Sequence, residues 1–115
     1  MDKVILERGT FGDWLRQQRE ARQWPLRKVA ALLDVDTSIV SKLERGHRQP
    51  QREYVEKLAT IFDEDAGELL VLFLSDQVAY ALLADEACSD AVLRVAEEKI
   101  KYLRARNVKQ GELEF

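Results

Sequence analysis

The 115-residue chain, 46% hydrophobic and 34% charged, has enough apolar material for one packed core and too little length for two domains of ordinary size. Few turn residues (5 Gly, 2 Pro) favour short connections between helices, while a lone Cys88 and a lone His47 exclude an intrachain disulfide and a zinc or haem ligand cluster. The formal charge of −3 divides into +3 over residues 1–50 and −6 over residues 51–115, with no Lys or Arg between Asp63 and Asp90, so nucleic acid could meet one face only.

In chain order, Thr10 followed by Asp13 reads as a capping box opening a first helix from Phe11 to Gln23. Phe11, Trp14, Leu15 and Gln18 share its inner side. Pro25 stops that helix and can start a second, Leu26 to Leu33. Asp34-Val35-Asp36 is a tight turn in which Asp34 tolerates an unusual backbone angle and Asp36 caps a third helix, Thr37 to Arg45. Gly46 closes it as a left-handed residue. Beyond Pro50, Tyr54, Val55, Leu58, Ala59 and Phe62 stripe a fourth helix, Arg52 to Phe62, and the acids Asp63 to Asp65 fall in an interhelical turn.

From Ala66 the pattern changes. Leu69 to Leu74 is apolar all round, so a helix from Ala66 to Leu83, with Ser75 as a possible break, must be covered on more than one side. The apolar runs are interrupted at Asp76, and neither they nor the N-terminal residues have the layout of a membrane span or a signal peptide, so a cytoplasmic protein with a reduced thiol is expected. A last helix, Asp90 to Arg106 behind a Ser89 cap, aligns Leu93, Ala96, Ile100 and Leu103, and residues 107–115 read as a frayed tail.

Two short helices joined by a three-residue turn have the geometry of a helix-turn-helix, whose second helix enters the DNA major groove. Val40 and Leu43 define the inner side of that second helix, leaving Thr37, Ser38, Ser41, Lys42 and Arg45 outward. Thr37, Ser38, Ser41 and Lys42 are the candidate base-reading residues; Arg27, Lys28, Arg45, His47 and Arg48 are the candidate phosphate contacts.

Residues 11–70 resemble the phage repressor and Cro-type (Xre-type) helix-turn-helix family. The resemblance is carried by Leu15, Arg19 and Glu20-Ala21-Arg22, by the Val29-Ala30 pair, by Val35, Val40 and Leu43, and by Leu43-Glu44-Arg45-Gly46 followed by Pro50. It implies an all-α, five-helix repressor-like bundle, here with an extended fifth helix and an additional C-terminal helix, and it implies that Arg19 and Glu44 form a structural ion pair. Three positions depart from the family pattern: Leu26 where Gln often opens the second helix, Asp34 where Gly is common in the turn, and Ile39 where a small polar residue is usual.

The domain reading is a DNA-binding unit at 10–70, a helical extension for dimerisation at 71–106 and a tail at 107–115. Leu69, Leu72, Phe73, Leu93, Ile100 and Leu103 are the candidate dimerisation residues. The expected function is a dimeric repressor acting at a palindromic double-stranded operator, with no catalytic site and no cofactor. The alternative is an antitoxin or other interaction module that uses the same fold to hold a protein partner.

Overall fold

The computed structural model describes residues 9–48 and 50–110, and all its regular elements are helical. They are α1 (Phe11–Ala21), α2 (Leu26–Leu33), α3 (Thr37–Glu44), α4 (Arg52–Ile61), α5 (Ala66–Leu83), a 3-10 turn (Glu86–Cys88) and α6 (Ser89–Gln110). The chain divides into two compact units, one ending at Val78 and one starting at Ala79.

Local chemistry sets most boundaries. The Thr10 side chain accepts from the Asp13 amide while the Asp13 carboxylate accepts from the Thr10 amide, the reciprocal capping box read from the sequence. α1 ends two residues before the expected Gln23, because Gln23 itself turns left-handed (φ 58°) and its amide bonds back to the Glu20 carbonyl. Pro25 is the extended residue before α2 rather than its first helical residue. Asp34 is left-handed at φ 59°, ψ 48°, and Asp36 caps α3 by accepting from the Ser38 amide. The acids at 63–65 take three separate tasks: Asp63 is left-handed, Glu64 accepts from the Trp14 indole, and Asp65 accepts from the Glu68 amide at the start of α5.

The first unit is held by one core. Phe11, Trp14 and Leu15 from α1 meet Val29, Ala30 and Leu33 from α2, Val40 and Leu43 from α3, Val55, Leu58 and Ala59 from α4, then Phe62, and Leu69, Leu72 and Phe73 from α5. Phe11 packs edge-on to Phe73 and Trp14 edge-on to Phe62, so α5 and the end of α4 both close on α1. This corrects the dimerisation expectation at three residues. Leu69, Leu72 and Phe73 are 0%, 1% and 5% exposed inside the chain's own core and have no surface left for a partner.

α5 has no break at Ser75, whose hydroxyl donates to the Leu72 carbonyl at 3.0 Å within the helix. By length and composition alone this helix is apolar enough to cross a bilayer. Its N-terminal half is instead core, and Asp76 accepts from the Phe11 amide at 2.9 Å, closing the start of α1. In the second unit Ser89 is already helical and donates to the Glu86 carbonyl, so it follows the 3-10 turn rather than capping α6. α6 runs to Gln110, through part of the expected tail; residues 111–115 lie outside the described residues. Val92, Leu93, Val95, Ile100, Tyr102 and Leu103 along it are exposed.

Candidate nucleic-acid interface

α3 is two turns long, too short to hold its own orientation, so its direction must come from what it packs against. Val40 and Leu43 anchor its inner side in the core, and Ile39 is half-buried against the same cluster. α1 supplies two further restraints. The Arg19 guanidinium grips the Glu44 carboxylate with two bonds, Nε to Oε2 at 2.6 Å and Nη2 to Oε1 at 3.0 Å, and also donates to the Trp24 carbonyl at 2.9 Å. The side chains of Arg19 and Glu44 are 14% and 6% exposed, and the Glu44 bond pushes the Arg19 pKa further up.

The second restraint is Gly12. A Cβ there would lie 2.5 Å from the Glu44 carbonyl oxygen and 2.6 Å from that of Leu43. Only a bare α-carbon lets the first turn of α1 approach the last turn of α3 this closely. Neither role is legible along the chain: Gly12 stands in no motif, and Asp76 shows only as a break in apolar runs. A glycine in the first turn of an otherwise well-capped helix was the available signal for the first; the second, 65 residues from Phe11, left none.

Thr37, Ser38 and Lys42 are exposed on the outer side of α3, while Ser41 is half-buried. The Ser38 hydroxyl donates to the Asp36 carboxylate, which also receives the Ser38 amide. Those bonds, with the charge of Lys42 nearby, hold the Asp36 carboxyl below its usual range. Arg45 is exposed just past α3, with its Nε 3.3 Å from the Ser41 carbonyl. Gly46 is left-handed at φ 75°, and the His47 amide bonds to the Lys42 carbonyl at 2.9 Å, so the chain turns away with His47 and Arg48 exposed at the end of α3.

Arg27 and Lys28 are exposed on the first turn of α2. The Lys28 ammonium sits 5.3 Å from the centre of the Trp24 ring, which also carries the Arg22 guanidinium at 5.7 Å. Leu26 is half-buried against the core, so the first side chain of α2 is a packing residue. Among the described residues no three of His, Cys, Asp and Glu gather into a set that could hold a metal ion.

Comparison with known proteins agrees with this geometry. Residues 10–72 match a family described as a helix-turn-helix domain. The HTH-type transcriptional regulator AnsR of Bacillus subtilis is 36% identical over 58 residues, half of each chain. An uncharacterized HTH-type transcriptional regulator of Mycobacterium tuberculosis is 40% identical over 53 residues, 46% of this chain and 21% of that one. The chain thus spans half or less of the length of these relatives. No solved structure matches.

Proposed function

From the premise that this chain belongs to the helix-turn-helix domain family, we propose that it binds double-stranded DNA inside the cell as a dimeric transcriptional repressor at a palindromic operator. The observation that carries the reading is the outer side of α3, which presents Thr37, Ser38 and Lys42 while its inner side is locked to α1 through Gly12 and the Arg19–Glu44 pair. A reading helix needs both, an outer side that reaches base edges and an inner side that does not yield.

The contacts divide by chemistry. Lys42 offers an ammonium to a guanine O6/N7 edge, and Thr37 offers a hydroxyl or a methyl. Ser38, with its hydroxyl proton committed to Asp36, meets a base as an acceptor, which suits an exocyclic amine of adenine or cytosine. Ser41, half-buried, contributes at closest approach only. Arg27, Lys28, Arg45, His47 and Arg48 flank this face and meet phosphates.

An operator with two-fold symmetry needs two copies of the reading helix, and exposed apolar side chains along α6 supply a surface for pairing them. Leu93, Ile100 and Leu103 keep the dimerisation role, which Leu69, Leu72 and Phe73 lose to the core. The same surface is what a protein-binding module, such as an antitoxin, would use. The net charge of −3 makes a second copy the economical partner, because a dimer doubles the phosphate contacts that a mildly acidic chain needs.

Selection of bound sequences from random duplex, followed by affinity titration, tests the proposal. A palindrome should emerge, with a log-affinity against log-salt slope on the order of −7 to −11 for a dimer making about four to six phosphate contacts per copy. Lys42→Ala should lose roughly 1–3 kcal/mol on the preferred site and relax one base position. Arg48→Ala should weaken all sites alike and flatten the slope by about one. Even losses across sequences for both variants would overturn the assignment of the reading face, and no selectable duplex at low salt would overturn the function.

A further inference from the structure

α6 carries apolar residues at Leu93, Ala96, Ile100 and Leu103, alternating steps of three and four that trace a straight seam when two helices pair side by side. Leu93, Ile100 and Leu103 are 44%, 46% and 49% exposed, so the second unit by itself does not fill the seam. A single helix of this kind leaves open which way its partner runs. The charges along it decide that.

From Asp85 to Glu98 the segment holds Asp85, Glu86, Asp90, Glu97 and Glu98 against Arg94 alone; from Lys99 to Arg106 it holds Lys99, Lys101, Arg104 and Arg106 with no acid. The second unit is therefore acidic at one end and basic at the other. A second copy running parallel would lay acid on acid and base on base. One running antiparallel would lay each acidic end along the other's basic end.

The seam makes the same choice at residue level. With Leu93 and Ile100 in the first core position of successive heptads, a parallel pair would set Lys99 of each copy against Arg104 of the other, two repulsive contacts with no attractive one to offset them. An antiparallel pair centred between Glu97 and Lys99 would set Arg104 of each copy beside Asp90 of the other. These two attractive contacts offset the two like contacts at the centre, Glu97 on Glu97 and Lys99 on Lys99. That register also stacks Leu93 on Leu103 and the small Ala96 on Ile100, large against small in the middle layers. The shallow apolar depression of about 340 Å³ lined by Ala91, Val92, Val95, Ala96 and Lys99 borders this seam and widens the surface a partner can cover.

We infer that α6 is an antiparallel pairing helix whose occupant is α6 of a second copy of this chain, the acidic end of each lying along the basic end of the other. This rests on the dimer reading above and specifies the surface and the direction.

The test uses the full chain with Cys88→Ser as background, carrying either Asp90→Cys or Arg104→Cys, one version enlarged by a tag so that mixed products separate by size. After mixing, re-equilibration and mild oxidation, the Asp90→Cys and Arg104→Cys chains should form a mixed disulfide at least about fivefold more abundantly than either forms with itself. Self-disulfides dominating at both positions would overturn the inference. A chain dimeric by light scattering that forms neither product would overturn it and leave the dimer reading standing, whereas a monomer throughout would remove both. Ile100→Glu gives a second arm. Because Ile100 is exposed, helicity should be kept while the dimer dissociation constant rises about a hundredfold or more; an unchanged dimer would overturn the seam.

Discussion

Replacing Gly12 with Ala adds one methyl group at the point where α1 meets α3. Contact between a methyl carbon and a carbonyl oxygen is ordinary from 3.4 Å outward, and the new Cβ would stand 2.5 Å from the Glu44 oxygen and 2.6 Å from the Leu43 oxygen, short by about 0.9 and 0.8 Å. Both obstacles are backbone atoms, so relief requires one helix to move. Overpacking of this kind costs roughly 1–3 kcal/mol, and two clashes at once belong to the upper part of that range. Ala is the better helix former by at most about 1 kcal/mol, less in a first turn. The expected net loss is about 1–2 kcal/mol, read as a lower urea midpoint at unchanged slope and a melting point lower by roughly 5–15 °C. Movement of α3 should also misplace at least one base contact and weaken operator binding by about tenfold. Gly67→Ala is the internal control: its Cβ would stand 3.1 Å from the Asp65 carboxylate oxygen that accepts from the Glu68 amide, a side-chain atom that needs to give by only a few tenths of an ångström, so the loss should stay within about 0.5 kcal/mol. A Gly12→Ala protein as stable as the parent, binding its operator unchanged, would refute the claim that this close approach orients α3.

The Arg19–Glu44 pair should act on orientation more than on net stability. Either Arg19→Met or Glu44→Met alone should lose about 3 kcal/mol by stranding a buried charge, while the double variant recovers most of that in denaturation and still binds the operator with reduced base discrimination; full discrimination in the double variant would contradict the role. Leu69→Ala should cost about 2–5 kcal/mol and Val78→Ser, exposed on the same helix, within about 0.5, and equal losses would remove Leu69 from the core. For Asp76, burial outweighs the Phe11 amide bond and raises the carboxyl pKa in the fold, so the folded state holds the proton after the unfolded chain has released it. Its contribution is full below the unfolded pKa and lost as pH rises through the folded value. Asp76→Asn, which keeps an acceptor for that amide, should therefore gain on the parent in denaturation midpoint as pH rises from about 3.5 to 7, and a gap that narrows over that range would contradict the burial argument.

What the sequence determined by itself was local. The Thr10–Asp13 box, the left-handed Asp34 and Gly46, the Asp36 cap and the stripes of α1 to α4 depend on residues within a few positions of one another, where side-chain reach and backbone sterics settle the outcome without knowledge of the rest of the chain. Resemblance to a known family added the Arg19–Glu44 pair, which the geometry contains. Only the tertiary structure decided how the apolar residues after 66 are shared. Leu69, Leu72 and Phe73 became core because Phe11 and the other buried side chains of α1 to α4 needed a fifth helix to close on them, whereas within the second unit Leu93, Ile100 and Leu103 stay exposed. Periodicity reports that a side must be covered but not by what, since burial depends on contacts between residues far apart in the chain. The same reason hid Gly12 and Asp76: each acts through an atom supplied by another helix, 31 or more residues away for Gly12 and 65 for Asp76 and Phe11, and no pattern along one helix records that distance.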